Sequence, residues 1–371
     1  LNLMAALAER SYSMHLVTPK QGVFNELAAA LGVPSHILPF RGASTLFIPW
    51  VYERFPVVAP LARLLRELRI DLVHSDYHAL PFAVGAGKRA GVPVLWNAMG
   101  GWFALRPWQY GFFRHQVTRS IAITDTVRRE LLHDPRVMPL SQMEIIIPGV
   151  DPEAYRPGVV TGDKVRAQIG IGPEVPLVSL IGRFQHVKGQ HIFIEMARLV
   201  LEKAPETHFA LAGDNVFGVA ADEAYKAQII ALVDADPRLR ERVHFLGFWP
   251  DSREVVAAST IIACTSYAES LGMVVIEAMS MGAVVVSTRG GGPSETVVDG
   301  ETGFLAEPGA PPAFAEKVLQ LLQDPNLRAR IGAQARAHVL ANLSIARYAD
   351  RFEQVAHALV AAGRTGSGSP P

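Results

Sequence analysis

The sequence predicts an α/β protein of two Rossmann-like domains, each built on a parallel sheet. Three observations carry this expectation. At 371 residues the chain exceeds the size at which a single hydrophobic core stops growing, roughly 250–300 residues. From Met14 onward, short β-branched runs alternate with longer helical segments, the pattern of βαβ units around parallel strands. The alternation breaks at Pro148-Gly149-Val150-Asp151-Pro152 through Pro157-Gly158, a stretch dense in turn formers, and restarts at Leu177. That break reads as an interdomain linker.

Composition narrows the function classes. Hydrophobic residues make up 49% and charged residues 19%, a globular balance. Lys plus Arg equals Asp plus Glu, 35 each, so no net field favours nucleic acid and any anion site must be local. The one cysteine, Cys264, excludes an internal disulfide framework and fits a reducing compartment. Within Ile261-Ile262-Ala263-Cys264 it reads as a buried strand residue rather than a nucleophile. Charges interrupt the long apolar stretches, so no membrane-spanning helix is expected, and no signal peptide is visible. The expected location is cytoplasmic.

In the first domain, residues 1–150, strands are expected near Met14–Thr18, His36–Leu38, Leu72–His74, Val92–Leu95, Ser120–Thr124 and Glu144–Ile147. Helices fall between them, including Val58–Leu68 and Asp125–His133, where Asp125 is a plausible N-cap. Leu1–Arg10 reads as a helix that runs directly into the first strand. An α/β domain ordinarily opens with a strand, so the chain is expected to lack its natural beginning. In the second domain, residues 151–344, strands are expected at Leu177–Ile181, His208–Ala212, Val243–Leu246, Thr260–Ala263, Val284–Ser287 and Gly303–Ala306. Pro311–Gln323 and Asn326–Leu340 read as helices, a last helix spans about 345–362, and the Gly/Ser/Pro-rich tail 363–371 is expected to be disordered.

Two open parallel sheets place ligands at the carboxyl ends of their strands, so chemistry is sought in the loops that follow strands. Ser179-Leu180-Ile181-Gly182 ends a strand and presents Arg183 and Lys188 in one loop. Two cations there could clamp a diphosphate, arginine through its planar fork and lysine as a point charge. A solvated basic loop is the equally simple alternative. Neither a Gly-x-x-x-x-Gly-Lys-Ser/Thr loop nor a full Gly-x-Gly-x-x-Gly fingerprint occurs.

The second candidate is Glu269-Ser270-Leu271-Gly272-Met273 followed by Glu277, two glutamates eight apart across a loop-to-helix junction. A helix starting near Leu271 offers unpaired amides and the positive end of its dipole to an anion, and Gly272 lets a ligand approach the backbone. Glu277 lies roughly 9 Å further along the helix axis, within reach of ribose hydroxyls of the same ligand. Beside a diphosphate Glu269 would be repelled unless Arg183 and Lys188 neutralise the phosphates. The simpler alternative makes Glu269 a helix cap and Glu277 a solvated residue, but Val274, Val275, Ile276, Ala278 and Met279 flank Glu277.

These stretches resemble the retaining glycosyltransferases of the GT-B fold, specifically glycosyltransferase family 4. The carrying motifs are Gly182-Arg183 with Lys188-Gly189, Gly213-Asp214, Phe245-Leu246-Gly247-Phe248, the paired glutamates, Gly290-Gly291-Gly292-Pro293-Ser294-Glu295, and Gly300 to Leu305. The resemblance implies two Rossmann-like domains facing a central cleft, with acceptor binding on the first and the nucleotide sugar on the second. The last helix would cross back to the first domain. It further implies that Arg183 and Lys188 bind the donor diphosphate, that Glu277 holds the ribose, and that the amides of Ser270, Leu271, Gly272 and Met273 meet phosphate and sugar. Glu269 would bind hydroxyls of the transferred sugar, and Phe248 would line the base pocket. Catalysis would rest on Glu269, Arg183 and Lys188 without an enzyme nucleophile, a metal or a cofactor beyond the nucleotide-sugar donor. The Asp-x-Asp pattern Asp234-Ala235-Asp236 sits at a helix end and is not read as a metal site. Saccharides, glycolipids or small hydroxyl compounds are the expected acceptors, and oligomeric state is left open.

Two departures stand out. Many relatives carry a histidine in a loop of the first domain where this chain has Met99, within Asn97-Ala98-Met99-Gly100-Gly101; Asn97 is the nearest substitute, and His74 and His78 follow the preceding strand. Relatives also open with a strand and a glycine-rich loop. These departures keep two alternatives open: a catalytically idle nucleotide-sugar-binding protein, and another GT-B reaction such as phosphorolysis. Trp96, Trp102, Trp108 and Tyr110 with Arg106 could meet a sugar or lipid, or fill a core. Arg63, Arg66 and Arg69, at helical spacing, could touch anionic lipid on the inner face of the membrane, or form a solvated face.

Overall fold

The computed structural model describes residues 1–40, 54–100, 105–215 and 218–366. Trp102 and Gly101 lie outside the described residues, as does the end of the tail from 367. The chain divides into two compact units, one comprising residues 1–148 with the segment from Ile345 onward, the other comprising Gly149–Ser344.

The first unit holds six short strands: β1 Leu16–Thr18, β2 Ser35–Ile37, β3 Val73–Ser75, β4 Val94–Ala98, β5 Arg119–Ala122 and β6 Met143–Ile145. All pairings among them are parallel, in a two-stranded sheet β1-β2 and a four-stranded sheet β3-β4-β5-β6. The core over β4 is aromatic. Trp96 is fully buried, its ring tilted against Phe113 at 4.8 Å. The last helix, Ile345–Gly366, packs Tyr348, Phe352 and Leu359 with Leu7, Leu95 and Ile121. Arg10 ties that helix to the chain start through Asp350 at 2.8 Å and through Glu353.

The second unit carries β7 Leu177–Ile181, β8 His208–Ala212, β9 Val243–Gly247, β10 Ile261–Cys264, β11 Val284–Thr288 and β12 Phe304–Ala306. They form one parallel sheet in the order β12-β11-β10-β7-β8-β9. The chain lays β7 to β9 outward on one side, then returns beside β7 to lay β10 to β12 on the other. Strand order therefore reverses between β7 and β10, and in open α/β sheets the crevice at such a reversal is where ligands bind. The mostly apolar, almost wholly buried runs of β7, β8 and β11 suit a sheet covered on both faces. Phe193, Phe209 and Phe314 fill the layer between the sheet and the helices Gln190–Leu201 and Pro311–Gln323.

Two element boundaries differ from expectation. The helix Asp125–Leu131 is capped by Thr124, not Asp125. Thr124 is extended, and its hydroxyl oxygen accepts the Val127 amide at 3.2 Å. Asp125 instead sits in the first turn, where its carboxylate pairs with Arg128 at 2.5 Å and with Arg129 and suits the positive helix end. The helix expected from Leu271 begins at Met273, because Gly272 takes a left-handed conformation, φ 79°, and is its N-cap.

Candidate functional site

The two sequence candidates meet at the strand-order reversal. The loop after β7 runs through Gly182 and Arg183 into a short 3-10 turn, His186–Lys188, and the loop after β10 runs from Thr265 to Gly272. Lys188 Nζ lies 2.6 Å from Glu269 Oε2, with both side chains largely covered. The Ser266 hydroxyl donates to the same carboxylate oxygen at 3.2 Å. Glu269 is therefore not a helix cap, and no side chain caps the helix Met273–Ser280.

Glycines allow the loops to approach this closely. Gly189 has φ 68°, and a Cβ there would stand 2.1 Å from the Thr265 carbonyl oxygen. On the other side Gly291, φ 60°, would put a Cβ 2.1 Å from the Glu269 carbonyl oxygen, and Gly292 would meet the Leu271 backbone at 2.2 Å. The Gly292 amide donates to that Glu269 carbonyl at 2.8 Å. Thr265 closes the first contact, its hydroxyl donating to the Gly189 carbonyl at 2.8 Å. The segment bearing Glu269 is thus wedged between two glycine turns. Gly272 itself is required by its positive φ; its Cβ position would lie 3.3 Å from Glu269 Cγ and from Pro293 Cγ.

Arg183 is exposed in the loop of Lys188, and its carbonyl accepts from the Gln190 side-chain amide at 2.7 Å. Leu271 and Gly272 are buried, and Ser270 and Met273 beside them are half-buried. Phe248 follows β9 and is 67% exposed.

Glu277 is neither solvated nor close to Lys188 in sequence. It sits partly buried on the helix, and burial pushes its carboxyl above the ordinary value while the neighbouring Tyr155 opposes the shift. Tyr155 was not among the candidates, because it lies in the stretch read as a linker. The only sequence signal was Asp151 four residues earlier, the start of a turn.

A ring cluster also supports the loop of Lys188. The Tyr267 ring stacks on His186 with centroids 5.5 Å apart at 3°, and its hydroxyl lies 3.0 Å from His191 Nε2. The Tyr267 amide donates to the Val187 carbonyl at 2.8 Å. Cys264, at the end of β10, has its thiol pushed up by burial, away from nucleophile chemistry. Asp236 caps the following helix and pairs with Arg198 at 3.2 Å and Arg238 at 3.3 Å. Among the described residues no group of three His, Cys, Asp or Glu could hold a metal ion.

The first unit offers less. Met99 directly follows β4 and is 52% exposed. Asn97 lies within β4, which extends to Ala98, and its Oδ1 is buried with no hydrogen-bond partner among the described residues. His74 packs edge-on against Phe352 at 5.1 Å. Of the aromatic group, Trp96 and Tyr110 are buried and Trp108 is 48% exposed.

Two family models match the chain, "Glycosyltransferase Family 4" over residues 1–154 and "Glycosyl transferases group 1" over residues 162–338. The chain belongs to glycosyltransferase family 4. The family 4 chain is 32% identical over 199 residues to a D-inositol 3-phosphate glycosyltransferase of Nocardia farcinica, an alignment covering 53% of this chain and 43% of that relative. It spans about half the length of the curated relatives it matches. A glycosyltransferase of Rickettsia africae superposes with a TM-score of 0.85 at 18% identity, over 97% of this chain and 93% of that one. Anabaena Alr3699/HepE in complex with UDP-glucose superposes at 0.79 with 22% identity, over 96% and 95%. The fold of this family 4 chain is GT-B. No described helix is long and apolar enough to cross a membrane.

Proposed function

We propose that this chain transfers a sugar from a nucleotide diphosphate sugar to a hydroxyl acceptor, with retention at the anomeric carbon and without a metal. The observation that carries the reading is the Lys188–Glu269 pair, 2.6 Å apart at the strand-order reversal. A carboxylate beside a diphosphate site needs a local cation, and here the cation is in contact with it. On donor binding the phosphates would compete for Lys188 and Arg183, releasing Glu269 to accept hydrogen bonds from the sugar. The anomeric carbon–oxygen bond to the diphosphate would break as the acceptor oxygen bonds to that carbon on the same face. The departing phosphate oxygen would take the acceptor's proton. Charge building on the diphosphate would be stabilised by Arg183, Lys188 and the amides of the uncapped helix start, a contribution that grows towards the transition state. The ribose would lie on Glu277 and the base near Phe248.

UDP-glucose, held by the Anabaena neighbour, and D-inositol 3-phosphate, named for the Nocardia relative, are the first donor and acceptor to try. Peripheral membrane contact for a lipid-linked acceptor belongs to the same proposal, supported by the exposed Arg63, Arg66 and Arg69. The test is nucleotide release and product formation with uridine, guanosine and adenosine diphosphate sugars across an acceptor panel, with and without a chelator. Transfer that survives chelation with the anomeric configuration kept is the expected result. Binding without turnover on any acceptor would leave the idle-module reading instead.

A further inference from the structure

One side chain at the strand-order reversal is held in place by its backbone and left unbonded. The order β10-β7-β8-β9 sets the loop after β8, Gly213-Asp214-Asn215, between the loop of Arg183 and Lys188 and the turn of Phe248. These three strand ends touch through backbone. The Gly182 amide donates to the Ala212 carbonyl and the Gly213 amide to the Gly247 carbonyl, both at 2.8 Å. A Cβ at Gly213, φ 145°, would stand 2.1 Å from the Gly182 carbonyl oxygen. The Asn215 main-chain amide donates to the Asp214 carboxylate at 2.8 Å, and Lys226 donates to the same oxygen at 2.5 Å. Lys226 Nζ also stands over the ring of Phe184, the neighbour of Arg183, at 5.6 Å. The main chain at Asn215 is therefore fixed. Its side-chain Oδ1 and Nδ2 are both buried, and neither has a hydrogen-bond partner among the described residues.

We infer that Asn215 is a base-binding residue of the donor site, its side-chain amide turning out of its buried position to meet an edge of the nucleobase. This rests on the reading of the reversal as the nucleotide site, with the diphosphate on Arg183 and Lys188 and the base near Phe248. A ligand laid from the β7 loop to the β9 turn passes over the β8 loop between them. Burying an amide without partners costs free energy. Turning it to a ligand breaks no hydrogen bond and relieves that cost. A primary amide carries donors and an acceptor side by side. Uracil, guanine and adenine each present a donor next to an acceptor, so the amide can meet any of them with two bonds. The charged neighbours do not compete for the base. Asp214 and Lys226 are paired with each other, which leaves the neutral amide to face a neutral ring.

The experiment measures thermal midpoints and dissociation constants for the intact chain, Asn215→Ala and Arg183→Ala. The probes are UDP, GDP, ADP and ribose 5-diphosphate, which has the sugar and phosphates without a base. The intact chain should bind its tightest nucleotide at least about tenfold more tightly than ribose 5-diphosphate. Asn215→Ala should weaken that nucleotide about five- to thirtyfold and leave ribose 5-diphosphate within about twofold. Its midpoint without ligand should stay level or rise, because a buried amide without partners is removed. A lower midpoint would overturn the inference in favour of a packing role. Arg183→Ala should weaken nucleotide and ribose 5-diphosphate alike. If it does, while Asn215→Ala leaves the nucleotide unchanged or weakens both probes equally, the inference falls and the nucleotide reading stands. If no nucleoside diphosphate binds the intact chain, or Arg183→Ala leaves its binding unchanged, the nucleotide reading falls and the inference with it.

Discussion

The helix-end turns of the first unit and the Glu269 loop of the second use glycine differently. In the second, Gly189, Gly291 and Gly292 each sit where a Cβ would stand 2.1–2.2 Å from backbone atoms of the Glu269 loop. In the first, the positive-φ glycines Gly32 and Gly91 face open space. Close backbone contact fixes the donor-side loops to a degree that side chains alone do not. The loop after β4, where Met99 is half exposed, has no described counterpart of that kind.

The largest expected effect tests that contrast directly. Gly291→Ala should cost about 3 kcal/mol or more, since backbone must move to admit the methyl group and φ is unfavourable, and donor binding should disappear. Gly91→Ala carries only the left-handed penalty of about 1–2 kcal/mol and should leave donor binding intact. Urea denaturation and nucleotide thermal shift check both. Equal effects would mean that the donor-side loops are not held by close packing.

Next, Lys188→Ala should lower turnover about 100-fold or more, while unfolding free energy falls by only about 1–3 kcal/mol, the cost of leaving the largely covered Glu269 without its cation. Loss of stability with turnover retained would make the pair a structural clamp and remove the diphosphate reading.

A third comparison lies in two histidine pairs, one in each unit. His208 Nδ1 lies 2.8 Å from His244 Nε2, and Arg242 donates to His208 Nε2 at 2.7 Å. Arginine can only donate, so His208 carries its proton on Nδ1 and is neutral. Burial, His244 and Arg242 lower it to about 4. The neutral form is favoured by folding, so its stabilisation is complete above the ordinary pKa of 6.5 and is lost as pH falls towards 4. The loss can reach about 3 kcal/mol. His15 and His36 pair at 3.1 Å and are half-buried, with His15 lowered by burial and by its partner. His208→Asn should remove more of the acid-induced loss of stability between pH 6.5 and 4.5 than His15→Asn. The reverse order would place the acid-sensitive pair in the first unit.

The same asymmetry governs what could be read from sequence. The strands β7 and β8 coincide with their expected ranges because their apolar runs are long and bounded by turn residues. Strands β3 and β4 lie one or more residues from their expected ranges: β3 spans only three residues, and β4 starts after Pro93, which has no amide to give a ladder. The start of the Glu277 helix was set two residues early because Gly272 was read for access, whereas its positive φ ends the loop there. The placement of Tyr155 is not legible in the sequence because it depends on Arg253 and Arg336, residues distant in the chain that donate to the Ala154 and Tyr155 carbonyls.

The smallest expected effect concerns Met99. The family resemblance implies an imidazole at this position in many relatives, and the thioether cannot donate to a sugar hydroxyl. Met99 is exposed at the end of β4, so Met99→His should leave stability within about 0.5 kcal/mol. It should also leave the nucleoside diphosphate dissociation constant unchanged, because that ligand is assigned to the second unit. If the chain transfers sugar without this contact, another group already serves the acceptor side, and the substitution should alter turnover less than about threefold. A gain of tenfold or more would instead make Met99 the reason for weak catalysis and would move the chain towards the idle-module reading. Turnover with the preferred donor, measured beside its binding constant, separates these outcomes.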